Sequence, residues 1–132
     1  MLFMMIVGAS RRSEARAPGD PDLAAAMDRY NEALTAAGVR VMARGLHPSD
    51  EALRVRFTRP DRAPELEEGP FRPIEHVVAG FFLIEVADRE EAVSWLLRAP
   101  DPQGDGEGWI ELRQVHGGPV ELPMPAQDAE GR

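Results

Sequence analysis

Two carboxylates and an imidazole, Glu68, Glu75 and His76, fall within the segment EEGPFRPIEHVVAGFFLIEV at residues 67–86. These are the groups of acid–base catalysis. An imidazole exchanges protons near neutral pH, and a neighbouring carboxylate orients it or stabilises its cation. Pro70 and Pro73 fix their own φ angles and push Gly69 and Arg72 towards extended backbone. A stiff loop therefore delivers the three groups to one end of the apolar run at residues 80–86. His47, in the turn GLHPSD, reaches the same cleft if the two strand ends lie side by side. Phe71 after Pro70 plugs the loop against the sheet, Arg44 is a cation for an anionic ligand, and Tyr30 offers a hydroxyl to a pocket. The chemistry that fits these groups is isomerisation or elimination, with His76 shuttling a proton and Glu68 or Glu75 as its partner.

Each of these residues also has a plainer reading. His76 serves equally as a solvated loop histidine among charges, and His47 as a turn histidine before Pro48. Tyr30 sits on the inner stripe of a helix, where packing accounts for it. Solvated strand arginines like Arg44 and Arg56 are common. His47, His76 and a carboxylate are the types that bind a divalent metal, but no HxH or HxxxH spacing supports a metal site, and no cofactor is expected. The chain carries no P-loop, no GxGxxG and no GxSxG elbow, which leaves nucleotide-dependent and serine-hydrolase chemistry without support.

Composition narrows the classes further. The 132 residues suit one domain, and a hydrophobic fraction of 43% is ordinary for a globular protein. Without Cys there is no disulfide, thiolate nucleophile or thiolate metal site. The net charge is −8 and all side-chain cations apart from His are Arg, so Schiff-base chemistry is excluded and nucleic acid is an unsuitable partner. The apolar start at residues 1–7 has no positive segment before it and is too short for a membrane span. It reads as a first strand, and the protein as cytoplasmic with no membrane partner.

The elements that must position the candidate groups follow in order. Residues 2–7 are an apolar strand, and 9–19 a polar loop. Asp20-Pro21 starts a helix with Leu23, Met27, Tyr30 and Leu34 on one stripe and Gly38 after its end. Val39, Val41 and Ala43 alternate with Arg40, Met42 and Arg44 in a second strand. Leu53, Val55 and Phe57 alternate with Arg54, Arg56 and Thr58 in a third, half exposed and paired back on the second. Residues 59–72 are loop, and 80–86 the central strand. Asp88 caps a second helix with Glu91 at the capping-box position and Ala92, Trp95, Leu96 and Ala99 inside. Ile110 and Leu112 alternate with Glu111 and Arg113 in a last strand. Residues 1–116 are thus the domain, and 117–132 a loosely ordered tail.

This order predicts an α+β, ferredoxin-like sandwich of βαββαβ type, two helices covering one face of the sheet. The central strands are apolar on both faces: Phe82, Ile84 and Val86 point one way, Phe81 and Leu83 the other. At about 25 cal/mol per Å², leaving two or three such side chains in water forfeits several kcal/mol. The expectation is a homodimer with the uncovered sheet faces back to back.

The loop and the strand after it resemble the signature of the YCII-related proteins of the DGPF type, Asp-Gly-Pro-Phe-Ala-Glu-Thr-Lys-Glu followed by Gly-aromatic-aromatic-Leu-Ile. The resemblance extends to MLFMMIVG at the start, YNEALTAAGV at 30–39, EEAVSWLLRAP at 90–100 and WIELRQV at 109–115. It implies a dimeric α/β-barrel-like ferredoxin fold with a small-molecule cleft beside the loop. Some relatives are lyases or dehydrochlorinases using a His–Asp pair, and some are encoded beside extracytoplasmic-function sigma factors. Here Glu68 stands at the family's Asp, Gly69-Pro70-Phe71 is kept, and Arg72, Pro73, Ile74, Glu75 and His76 replace the rest. Two functions remain open: a dimeric protein whose cleft takes a small anionic molecule for acid–base chemistry, or a non-catalytic accessory or regulatory protein that makes protein contacts.

Overall fold

The structure of the protein, a computed structural model, describes residues 1–104 and 106–117. In it the chain runs β1 (Leu2–Gly8), α1 (Arg11–Glu14), α2 (Pro21–Ala36), β2 (Arg40–Gly45), β3 (Leu53–Arg56), β4 (Glu65–Glu68), β5 (Val78–Glu85), α3 (Arg89–Arg98) and β6 (Ile110–Gln114). Short 3-10 turns lie at Ser49–Glu51 and Ile74–His76. The expected loose tail lies, beyond Gly117, outside the described residues.

β1 and β5 are apolar along their length, and they form the centre of a four-stranded antiparallel sheet ordered β2-β5-β1-β6. The register sets Phe3 opposite Ile84 and Met5 opposite Phe82, so these four side chains share one face. That face packs on Tyr30 and Leu34 of α2 and on Ala92 and Trp95 of α3, with Met5, Leu34 and Ile84 completely buried. The α+β class and the two helices on one sheet face follow the sequence expectation, and the arrangement is consistent with a ferredoxin-like fold. On the other face Met4, Ile6, Phe81 and Leu83 are only half-buried, and Met42 is exposed.

The helix boundaries follow their sequence signals. Asp20 caps α2 through Asp22 N at 2.9 Å, Pro21 takes the first helical position, and Gly38 after the end adopts φ 74°. Asp88 caps α3 through Glu91 N at 2.8 Å, and Glu91 accepts in return from Ala87 N, one residue earlier than in a standard capping box.

Four local readings are corrected. The third strand does not pair with β2: β3 pairs with β4 in a separate two-stranded sheet, Val55 opposite Leu66 and Leu53 opposite Glu68. Part of the 59–72 loop is therefore strand. An acidic stretch such as ELEE has no alternating apolar pattern, and only the cross-strand partner makes it extended. The 9–19 loop contains α1, whose Ser10 and Ser13 hydroxyls each accept from the other's backbone N–H at 3.1 and 2.9 Å. Finally, the alternation along β2 is broken at Val41, where the register shifts between Arg40 and Met42. The extra residue turns Arg40 onto the helix-covered face, opposite Ile84.

Candidate functional site

The loop Glu68-Gly69-Pro70-Phe71 leaves β4 and crosses the turn that follows β2. Its contacts converge on Ser49, the buried polar side chain among the described residues. Ser49 Oγ donates to Glu14 Oε1 of α1 and accepts from Phe71 N at 3.0 Å, while Ser49 N donates to Glu14 Oε2 at 2.8 Å. Gly69 N donates to the Ala52 carbonyl at 2.9 Å. The two segments lie so close that a Cβ on Gly69 would overlap the Ser49 carbonyl oxygen. Gly in the Gly-Pro-Phe motif is therefore a packing requirement: the backbone of the loop rests directly on that of the turn. The Gly69-Pro70 and Arg72-Pro73 peptides are both cis.

A second set of contacts ties the same turn to the end of α1. Arg16, in the left-handed region at φ 55°, donates to Asp50 at 2.6 Å and to Glu51. The Arg16 guanidinium holds the Asp50 carboxyl below the usual carboxylate range, and Arg16 first, then His47, do the same for Glu51. Glu51 therefore stays anionic beside His47, whose Nδ1 lies 3.3 Å from it. On a turn, spacing of i and i+4 brings the imidazole and carboxylate together.

Beside this turn opens a hollow of about 470 Å³. His47 and Glu51 lie on one side, and His76 with Val77 and Val78 on another. Phe71 forms a wall, and the Arg54 guanidinium stacks on its ring at 3.9 Å. Arg54 makes no close ion pair among the described residues, although its charge also acts on the Glu67 carboxylate opposite it on β4. The arrangement offers two imidazoles, an anionic carboxylate behind one of them, a cation and apolar walls.

Three of the residues singled out in the sequence thus share one hollow: His47, Phe71 and His76. The other four lie elsewhere. Glu68 ends β4 exposed, opposite Leu53, and does not line the hollow. Glu75 lines a different cleft with Arg11, Arg12 and Trp109. The side chains of Glu75 and His76 diverge because their tight turn sends neighbours in different directions. Arg44, on the edge strand, bonds the Ala43 carbonyl through Nη1 at 2.8 Å. Tyr30 is core: its hydroxyl donates to the Trp95 carbonyl at 2.7 Å, its ring packs edge-on to Phe82, and burial pushes its pKa up to about 12. Among the described residues no group of three or more His, Asp or Glu side chains converges as a metal site.

Glu14, Arg16, Ser49, Glu51 and Arg54 were not legible as site residues. Glu14 and Ser49 are 35 residues apart, and Glu14 sits where the sequence reads as loop. Only the His47-to-Glu51 spacing offered a local signal.

The family model for the YCII-related domain matches residues 1–116, which takes in every strand and helix described above. No curated protein matches the chain at a significant level. Among solved structures the chain is similar to 5-chloro-2-hydroxyhydroquinone dehydrochlorinase from Burkholderia phenoliruptrix AC1100, in complex with 2,5-dihydroxybenzoquinone. Identity is 18% over 89% of this chain and 96% of that one, with a TM-score of 0.45. No helix among the described residues is long and apolar enough to cross a membrane. By the extent of the family match, the chain belongs to the YCII-related domain family.

Proposed function

We propose that this protein binds a small anionic molecule in the hollow between His47 and His76 and performs acid–base chemistry on it. The observation that carries the reading is the convergence of two histidines, Glu51, Arg54 and Phe71 on one hollow. Arg54 attracts the anion, and Phe71, Leu46 and Val78 face its apolar body. Glu51 orients the His47 imidazole by accepting from Nδ1, which leaves Nε2 to take a proton from carbon. His76 returns a proton at a second position, so that an isomerisation conserves all atoms. In an elimination the same proton goes to the leaving group. His76 thus keeps the shuttle role assigned from sequence, whereas Glu51 takes the partner role in place of Glu68 and Glu75. The protein acts as a cytoplasmic homodimer joined through the half-buried face of Met4, Ile6, Phe81 and Leu83.

The test is deuterium exchange in D₂O, followed by proton NMR, over a panel of enolisable 2-oxocarboxylates and hydroxybenzoates. Wild-type protein should wash deuterium into at least one of them, and both His47→Gln and His76→Gln should abolish this. Exchange that persists in both variants would remove the histidines from the mechanism.

A specific observation favours the accessory reading as the second choice. One face of the β3–β4 hairpin exposes Leu53 (64%), Val55 (46%) and Leu66 (65%), and Phe57 beyond it is 80% exposed. Such a face suits protein contacts. A heterologous protein retained by wild type and lost with Leu66→Glu, together with no exchange on any compound, would make this reading the better one.

A further inference from the structure

The break in register at Val41 creates a second cation site, across the Gly45–Gly80 pair from the histidine hollow. Arg40, turned to the helix-covered face, is half-buried, and its Nε donates to Asn31 Oδ1 of α2 at 2.9 Å. Asn31 is itself anchored, its Nδ2 donating to the Met27 carbonyl at 3.1 Å. The Arg40 Nη groups make no hydrogen bond, and no carboxylate lies within ion-pair distance of them, among the described residues. In a chain of net charge −8, a half-buried guanidinium without an acid is a costly arrangement unless something anionic completes it.

Beside Arg40 a hollow of about 280 Å³ opens between α2 and the β2–β5 edge, with Val7, Met27, Ala43 and Phe82 among its walls. We propose that this hollow binds a small amphiphilic carboxylate. The carboxylate accepts from the two Nη groups of Arg40, held in place by Asn31, and the apolar body lies on Val7, Met27 and Phe82. The volume lies near the lower end of small-molecule pockets, roughly 300 Å³, which limits the ligand to a short body. The site is separate from the His47–His76 hollow and does not depend on the chemistry proposed there.

The test is a titration of the ¹⁵N-labelled full chain with octanoate, and with octanol as the neutral counterpart, read by amide chemical shifts. Octanoate should give saturable shifts centred on Asn31, Arg40, Ala43 and Phe82. Losing charge-assisted hydrogen bonds is worth about tenfold or more in affinity, and that weakening is expected for octanol and for octanoate with Arg40→Met. Asn31→Asp sets a carboxylate against the guanidinium within the fold, and it should weaken octanoate similarly while the spectrum stays folded. Equal affinity for octanol and octanoate would overturn the proposal. So would undiminished octanoate affinity in Asn31→Asp, shifts confined to other residues, or no saturable shift at millimolar ligand.

Discussion

Ser49 shows how much of the candidate site depends on a single hydroxyl. It bridges α1 and the Gly-Pro-Phe loop, serving the Glu14 carboxylate and the Phe71 amide at once. Ser49→Ala leaves a part-buried amide and a carboxylate without that partner, so stability should fall by about 1 kcal/mol. Urea unfolding measures this, and a change within error would mean that water replaces the hydroxyl. Tyr30 makes a second prediction at this scale. Burial raises its folded pKa to about 12 from an ordinary 10.0, against a smaller opposing effect of Arg98. Between those values the unfolded chain gives up the phenolic proton more readily than the folded one. Stability is therefore full below pH 10 and declines as pH rises towards 12. Tyr30→Phe should lose the bond to the Trp95 carbonyl, at about 1 kcal/mol, and lose this alkaline component as well. Thermal unfolding of both proteins from pH 9 to 11 makes the comparison.

At the scale of elements, the site is an assembly of short pieces that would not hold a shape alone. α1 is four residues long, the turn at Ser49–Glu51 is three, and the β3–β4 pair is a two-stranded hairpin outside the main sheet. Tertiary bonds fix them to one another: Glu14 to Ser49, Arg16 to Asp50 and Glu51, Gly69 to Ala52, and Arg54 to Phe71. Arg16 keeps a left-handed backbone, at a cost of about 1 kcal/mol for a non-glycine residue, while its side chain bridges the two carboxylates. Arg16→Ala should accordingly speed amide hydrogen exchange in α1 and around Asp50 with exchange in β1 and β5 unaltered. Because the ion pairs are exposed, the global unfolding midpoint should move little. Equal exchange in variant and wild type would show that Glu14 and Ser49 suffice to hold α1.

For the whole molecule, the sheet has one face under two helices and one face whose Met4, Ile6, Phe81 and Leu83 are only half-buried among the described residues. The proposed homodimer buries Met4, Ile6, Phe81 and Leu83 of that second face against their symmetry mates. Leu83→Glu places a charge in the middle of the interface and should convert a dimer into a folded monomer in sedimentation velocity at micromolar concentration. A wild-type monomer under the same conditions would refute this dimer.

The sequence by itself determined what depends on local pattern. The apolar runs of β1 and β5, the stripe Leu23, Met27, Tyr30 and Leu34, and the Asp20-Pro21 and Asp88 caps each carry their structural meaning within a few residues. Hence the α+β class, the ends of α2 and α3, and the family were legible. That His47, Phe71 and His76 stand out by residue type and by the Pro-rich approach was legible as well, and these three line one hollow. Only the tertiary structure decided that Glu68 and Glu75 lie away from His76 and that Glu51 lies behind His47. It also decided that β3 turns to β4, and that one extra residue at Val41 points Arg40 inward. The physical reason is the same in each case. A turn or a bulge reverses the direction of a side chain within one residue, and bonds such as Glu14 to Ser49 join segments whose separation leaves no periodic trace in the chain.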